Sequence, residues 1–233
     1  MNIRSLYTAS ILFWFSLAFQ PSYAQPGRFI PSGVRVGTDL PYFGYQAFSQ
    51  NLKPWELTAD IDIHKFFLVA DYGRVSYTAN ENYHNYNSQG SYMRIGADFN
   101  FLNQDTTHSV FYFGFRLANG GLNESTQFST NNGVEINSGW PTEEIEINTT
   151  GIRTSWVEFV TGMRIRIIQE IYMGFTVRYK LSPRYRGNET LRPYYLPGYG
   201  KNIDESTWGF NYYIYYRIPF RKKVFPGAGD LED

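Results

Sequence analysis

Cysteine is missing from all 233 residues, and histidine occurs only three times. Without thiols there is no disulfide staple, no thiol nucleophile and no Cys-ligated metal site. His64, His108 and His84 lie too far apart to form a recognisable metal motif. Neither sign of charge dominates, since 21 Lys+Arg face 21 Asp+Glu. That balance gives no electrostatic footprint for nucleic acid. Long apolar runs are also scarce. Past the N-terminal segment none approaches the ~20 residues that a transmembrane helix needs. Mean hydropathy is −0.39, a value compatible with a chain in which only alternate residues meet lipid.

The N-terminus has the composition of a targeting segment. Arg4 gives a positive start, residues 6–19 an apolar stretch, and Ser22-Tyr23-Ala24 a small-residue cleavage site. Residues 1–24 are therefore expected to be a signal peptide, with Gln25 rather than a lipidated Cys following the cut. Its removal takes away one Arg and no acid, leaving 20 Lys+Arg against 21 Asp+Glu.

What the chain does have is aromatic residues (20 Tyr, 19 Phe, 5 Trp) and strict alternation. Trp55, Leu57, Ala59, Ile61 and Ile63 are apolar, and Glu56, Thr58, Asp60 and Asp62 between them are polar. A period of two places these sets on opposite faces of a β-strand. Similar alternation returns around Met93, Phe111, Val157, Met173 and Trp208. Eight strands are expected, at residues 33–45, 55–63, 66–77, 91–101, 109–118, 155–168, 171–181 and 207–220. Short connections alternate with long ones, and the strand number is even, as in an up-and-down barrel.

Glycine identifies the inner face. Gly37 shares its register with Arg35 and Asp39, Gly73 with Asp71, and Gly96 with Arg94 and Asp98. Gly114, Gly162, Gly174 and Gly209 continue the series beside Arg116, Arg164, Thr176 and Asn211. A solvated face gains nothing from mid-strand glycine, whereas a narrow lumen uses it to make room for long neighbours. The bulky set (Phe99, Phe113, Phe115, Phe159, Met163, Phe175) then faces lipid. The expected fold class is all-β: an eight-stranded antiparallel transmembrane barrel over residues 33–220. A lead segment, 25–32, precedes it and a tail, 221–233, follows, both on the periplasmic side. Arg74 breaks the pattern, because with Asp71 inward it points to lipid; a bulge or a snorkelling side chain is expected there.

These features resemble the small eight-stranded outer-membrane barrels of the OmpA-domain and OmpX type, and are similar to uncharacterised barrel families of Gram-negative bacteria. The last strand, Trp208 to Phe220, is similar to the aromatic-ended strand that barrel-assembly machinery recognises, although residues 221–233 follow it. The resemblance implies outer-membrane localisation, contact with outer-membrane lipid, handling by that machinery during biogenesis, and a monomer.

The chemistry is less legible. The inward charges (Arg35, Asp39, Glu56, Asp60, Asp62, Asp71, Arg94, Asp98, Arg116, Glu158, Arg164, Arg166, Arg178, Lys180, Arg217) carry both signs and are expected to pair and fill the lumen. His84, the one histidine expected on the outer side, lacks a nearby Ser and an orienting carboxylate, so no catalytic residue is assigned. No cofactor is implied. The third long loop holds Glu124, Glu135, Glu143, Glu144 and Glu146, and the fourth Arg184, Arg186, Arg192 and Lys201. The two are expected to pack together over the mouth. Tyr185, Tyr194, Tyr195 and Tyr199 of the fourth loop are the candidate interaction surface for a ligand or protein partner. The expected role is structural or in surface interaction; a lipid-modifying enzyme and a narrow channel are the alternatives.

Overall fold

The computed structural model describes residues 31–81, 84–102, 109–129, 144–187 and 192–220. The expected signal peptide, most of the lead segment and the tail lie outside them. The described elements are β1 (Gly33–Asp39), α1 (Leu40–Phe48), β2 (Leu52–Ile63), β3 (Phe66–Glu81), β4 (His84–Asn100), β5 (Val110–Ser129), β6 (Glu144–Ile168), β7 (Ile171–Arg186), β8 (Tyr195–Leu196), β9 (Gly200–Lys201) and β10 (Ser206–Pro219). Eight of the strands close into an antiparallel barrel in the order β1-β2-β3-β4-β5-β6-β7-β10, and β8 pairs with β9 in a small hairpin.

The faces follow the expected register. Arg35, Glu56, Asp60, Asp71, Arg94, Asp98, Arg116, Glu158, Arg164 and Arg178 are buried inside, while Leu68, Met93, Ile95, Phe113, Met163 and Phe175 are exposed outside. Of the other expected inward charges, Asp62 is half-buried and Arg166 is exposed at the periplasmic end. Phe66, Phe99, Phe101 and Phe111 form a chain of ring contacts at 5.4, 5.1 and 6.1 Å around that rim. Such a girdle suits the membrane–water boundary.

The glycines make room chiefly for tyrosine. A Cβ on Gly37 would lie 2.4 Å from the Tyr215 ring, and one on Gly174 would lie 2.8 Å from the same ring. Strands β1 and β7 flank β10, so two glycines clasp one aromatic ring between them. Gly73 is covered in the same way by Tyr92, its partner on β4. Reading the inner register for charge alone missed Tyr92, Tyr112, Tyr172, Tyr213 and Tyr215, all buried.

Three departures from expectation matter. The first strand stops at Asp39 rather than residue 45, and the chain turns into α1. Pro41 lies in the first turn of that helix. Proline has no N–H for a sheet ladder but is at home in a first helical turn. Tyr42 and Tyr45, which lie within the expected first strand, are therefore helical.

The second departure is length. Strands β4, β5 and β6 have 17, 20 and 25 residues, whereas a membrane crossing takes about 9–11. The sheet from β3 to β7 continues beyond the apolar band as a wall, so much of the expected third loop is strand. Its Asn-, Thr- and Gly-rich composition reads as loop from sequence. The pairing tolerates it because Tyr86 and Thr126 still alternate inward. Register shifts between Leu122 and Glu124 and between Ser155 and Val157 bend this wall. Gly151 (φ +73°) stands at the first, where its N–H donates to Asn123 Oδ1 at 2.8 Å.

The third is Arg74. No register shift interrupts β2–β3 or β3–β4, so of the two expected alternatives, a bulge or a snorkelling side chain, the bulge does not form. Arg74 points outward one alternate position beyond Tyr72, where the polar wall begins.

Candidate functional site

The lumen and its outer mouth hold the buried polar chemistry. Two tiers of ion pairs cross the interior. In the outer tier Arg94 meets Glu56 at 2.5 Å and Asp71 at 3.1 Å, and Arg178 meets Glu158 at 2.9 Å and Asp71 at 3.3 Å. Tyr92 and Tyr213 both donate their hydroxyls to Glu56. In the inner tier Arg35 meets Asp60 at 2.7 Å, while Arg116 and Arg164 converge on Asp98 at 2.7 and 2.8 Å. The outer tier has three acids and two arginines and the inner tier two acids and three arginines, so the excess charge of each offsets the other. Arg164 also lies over the Tyr112 ring at 4.4 Å, and Arg35 over Phe67 at 4.4 Å. Charges buried this deeply persist only with paired geometry and satisfied hydrogen bonds.

Above the outer tier the chain between β7 and β10 folds back into the mouth. Leu196 and Tyr199 are buried among Val75, Tyr92, Leu122, Ile152 and Trp156. Gly198 (φ +79°) lies flat on the Tyr92 ring, and a Cβ there would come within 2.5 Å of it. Lys180 Nζ donates to the carbonyls of Gly198 and Tyr199 at 2.7 and 3.0 Å. Ser88 donates to the Tyr195 carbonyl at 3.1 Å, and Tyr195 N–H donates to the Tyr86 hydroxyl at 3.2 Å. Burial, with the nearby Glu124 carboxylate, pushes the Tyr86 hydroxyl up to about 12. The hairpin β8–β9 is thus a cork held by aromatic packing and hydrogen bonds.

The four candidate tyrosines are divided by this arrangement. Tyr199 is buried against Trp156 with ring centroids 6.0 Å apart. Tyr195 stacks on Tyr77 at 4.5 Å, and Tyr185 is partly buried against the same cluster. Tyr194 is 39 % exposed, meets Tyr86 edgewise and Tyr77 at a tilt, and has Lys201 Nζ 5.9 Å from its ring. Trp156, Ile152 and Tyr86 belong to the same mouth and were not singled out from sequence; the inward period of β6 and β4 was the available signal.

His84 stacks beside Tyr86 at 6.3 Å and lies tilted against Phe128 at 5.1 Å, an aromatic setting. His64 occupies a tight turn at φ 60°. His108, Glu135 and Glu143 lie outside the described residues. Glu124 is buried and accepts the Tyr86 hydroxyl at 3.0 Å. Among the described residues no group of three His, Cys, Asp or Glu is placed to hold a metal ion. No described helix is long and apolar enough to cross a membrane, which says nothing of crossing by strands.

Two solved structures are similar to this chain at low identity. Ail, the attachment invasion locus protein of Yersinia pestis, is 8 % identical with a TM-score of 0.40, covering 81 % of this chain and 98 % of Ail. Neisserial surface protein A (NspA) is 11 % identical with a TM-score of 0.33, covering 82 % of this chain and 96 % of NspA. No curated protein matches the sequence. A closed eight-stranded barrel with an ionic interior, an apolar outer band and aromatic rims is the architecture of an outer-membrane protein. The family model for the domain of unknown function DUF6048 matches residues 14–223, and the chain belongs to that family.

Proposed function

We propose that this protein is a monomeric, non-enzymatic outer-membrane barrel that acts through its outer surface rather than through its lumen. The observation that carries the reading is the closure of the interior: two tiers of buried ion pairs lie beneath a hairpin cork seated on Tyr92 and Trp156. A conducting path needs water where these side chains touch. What remains available to a partner is the wall of β3–β7 beyond the membrane and the Tyr194 face of the cork, where an exposed ring lies beside Lys201. An amphipathic ring next to a cation suits a sugar or protein surface. Membrane lipid and the barrel-assembly machinery are the expected partners in biogenesis.

The test is planar-bilayer recording of the folded barrel, with and without residues 193–203, alongside lipid hydrolysis and acyl-transfer assays. Silent bilayers for both forms and no turnover are the expected results. Steady single-channel current through the intact barrel would overturn the closed-lumen reading, and lipid turnover would overturn the non-enzymatic one.

A further inference from the structure

Outside the barrel, where β2 to β6 leave the apolar band, the wall holds a groove of about 640 Å³. Lys53, Arg74 and Arg153 line it together with Ser91, Gln89 and Gly121, and no carboxylate does. The sheet register explains the convergence. Arg74 pairs with Trp55 on one side and Ser91 on the other, Ser91 with Gly121, and Gly121 with Arg153. Three strand steps of about 4.8 Å set the Arg74 and Arg153 backbones about 14 Å apart, within the joint reach of two arginine side chains. Lys53 is the next outward position after Trp55, as Arg74 is after Tyr72. The Gly121 floor is open, because a Cβ there would meet only the Ile152 carbonyl at 3.8 Å.

Two features identify the occupant. Lys53, Arg74 and Arg153 make no ion pair and no side-chain hydrogen bond among the described residues, so three positive charges share one groove uncompensated. The groove also stands directly on the membrane boundary. Trp55 and Tyr72 meet edge to face at 6.1 Å beneath it, as an interfacial aromatic pair, and the lipid-facing Met93 and Leu117 lie below the Arg74–Ser91–Gly121 row. Charged headgroups of the surrounding lipid lie at that level, and guanidinium forks bind phosphate through paired, charge-assisted hydrogen bonds.

We propose that this groove binds the phosphorylated headgroup of an outer-leaflet lipid, whose acyl chains lie along the apolar wall beneath. The proposal rests on the outer-membrane placement given above, and goes beyond it by assigning a lipid site to named residues.

The experiment refolds the signal-free full chain into phosphatidylcholine vesicles doped with bisphosphorylated lipid A or with the same lipid dephosphorylated. Flotation of the vesicles and the heat-dependent gel shift report insertion. Native mass spectrometry after gentle extraction reports retained lipid. Retention of the phosphorylated lipid should exceed that of the dephosphorylated one by about tenfold, the ratio expected of a single good charge-assisted contact. The combined change Lys53→Gln, Arg74→Gln and Arg153→Gln should abolish the preference. Gly121→Trp, which fills the groove without altering charge, should abolish it too, while Lys201→Gln should leave it intact. Equal retention of the two lipids overturns the proposal, as does a preference that survives both groove variants. Displacement of the lipid by inorganic phosphate alone would also overturn it, by reducing the groove to an ion site. A chain that folds but fails to float with vesicles would instead overturn the membrane placement, and the lipid site with it.

Discussion

The Asp39 carboxylate accepts the backbone N–H of Tyr212 at 3.1 Å, in the place of the sheet carbonyl that β1 would have supplied had it continued. Asp39 pairs with Tyr213 as the last residue of β1, so the next ladder position on β10 faces the start of α1. The other carboxylate oxygen accepts Asn211 Nδ2 at 2.6 Å, and Asn211 Oδ1 in turn accepts Arg178 Nε at 2.6 Å. Across the same gap Gln46 Nε2 donates to the Pro54 carbonyl of β2 at 2.8 Å. Side chains at the two ends of a short helix thus satisfy backbone groups that the missing strand would have paired.

The first prediction follows from that substitution of side chain for strand. Asp39→Ala orphans the Tyr212 N–H and one amide hydrogen of Asn211, and should cost about 1–3 kcal/mol. Asp39→Asn should be nearly as harmful, because Arg178 fixes the orientation of Asn211 and sets two amide donors against each other. Urea unfolding of the vesicle-inserted barrel, followed by gel shift, measures both. A loss confined to Asp39→Ala would show that the Asn211 orientation is not fixed.

The ionic lumen gives the second. Glu158 accepts from both Arg178 and the Trp156 indole, at 2.9 and 2.7 Å. Removing one member of a buried pair leaves an uncompensated charge, so Glu158→Leu should lower stability by about 3–5 kcal/mol. Pairing that change with Arg178→Met should recover part of the loss, since Arg178 makes the shorter contact to Glu158 and would otherwise keep only Asp71 as an ion-pair partner, at 3.3 Å. Added salt should shift neither variant much, because buried pairs are weakly screened. A strong salt dependence in the unfolding midpoint would mean that water reaches the network.

Face assignment supplies the third. Phe175 stacks on Phe210 at 6.2 Å on the outer surface, and Phe175→Arg at mid-membrane should cost about 2–4 kcal/mol. Gly174, one residue away, faces the Tyr215 ring, so Gly174→Trp should prevent closure by overpacking. Ile95→Leu on the lipid face should leave the unfolding midpoint unchanged. The opposite ranking in a refolding assay would turn the barrel inside out.

How far the sequence revealed this molecule depends on what each residue must satisfy. The strand faces were legible because a lumen and a lipid phase impose opposite demands on alternating positions, and Gly96 beside Arg94 and Asp98 met the inner one. The turn into α1 was not, because Leu40, Tyr42, Phe43 and Tyr45 are bulky residues that suit a strand as well as a helix. Only Pro41, two residues after a residue suited to an N-cap position, marked the change. The long wall was hidden by composition, since Ser, Thr and Asn serve equally in loops and in strands that water touches on one side. The aromatic cork was half legible. Its tyrosines stood out, but that Leu196 and Tyr199 enter the mouth depends on the shape of a cavity built by Tyr92, Ile152 and Trp156, and these come from strands far away in sequence.

The cork itself gives the last prediction. Its seat has no spare room: Gly198 needs both its positive φ and its missing Cβ to lie on Tyr92. Gly198→Ala violates both requirements and should lift the hairpin, taking Tyr199 from the Trp156 ring. Tyr199→Ala removes the same contact without strain at the turn and should cost about 3–5 kcal/mol at most, the range for deleting a well-packed aromatic. The signal is tryptophan emission. With the hairpin displaced, Trp156 gains water and should shift to longer wavelength, while Trp208, on the lipid face beside Tyr179 at 4.7 Å, should not. Barrel closure depends on β10 pairing with β1 and β7, which neither change touches, so the heat-dependent gel shift should persist in both. Bilayer conductance should stay silent as well, because the ion pairs of Arg94, Arg178 and Arg164 lie beneath the cork. If Gly198→Ala opened a current, the hairpin rather than the ionic tiers would be the seal, and the two layers of closure would be one.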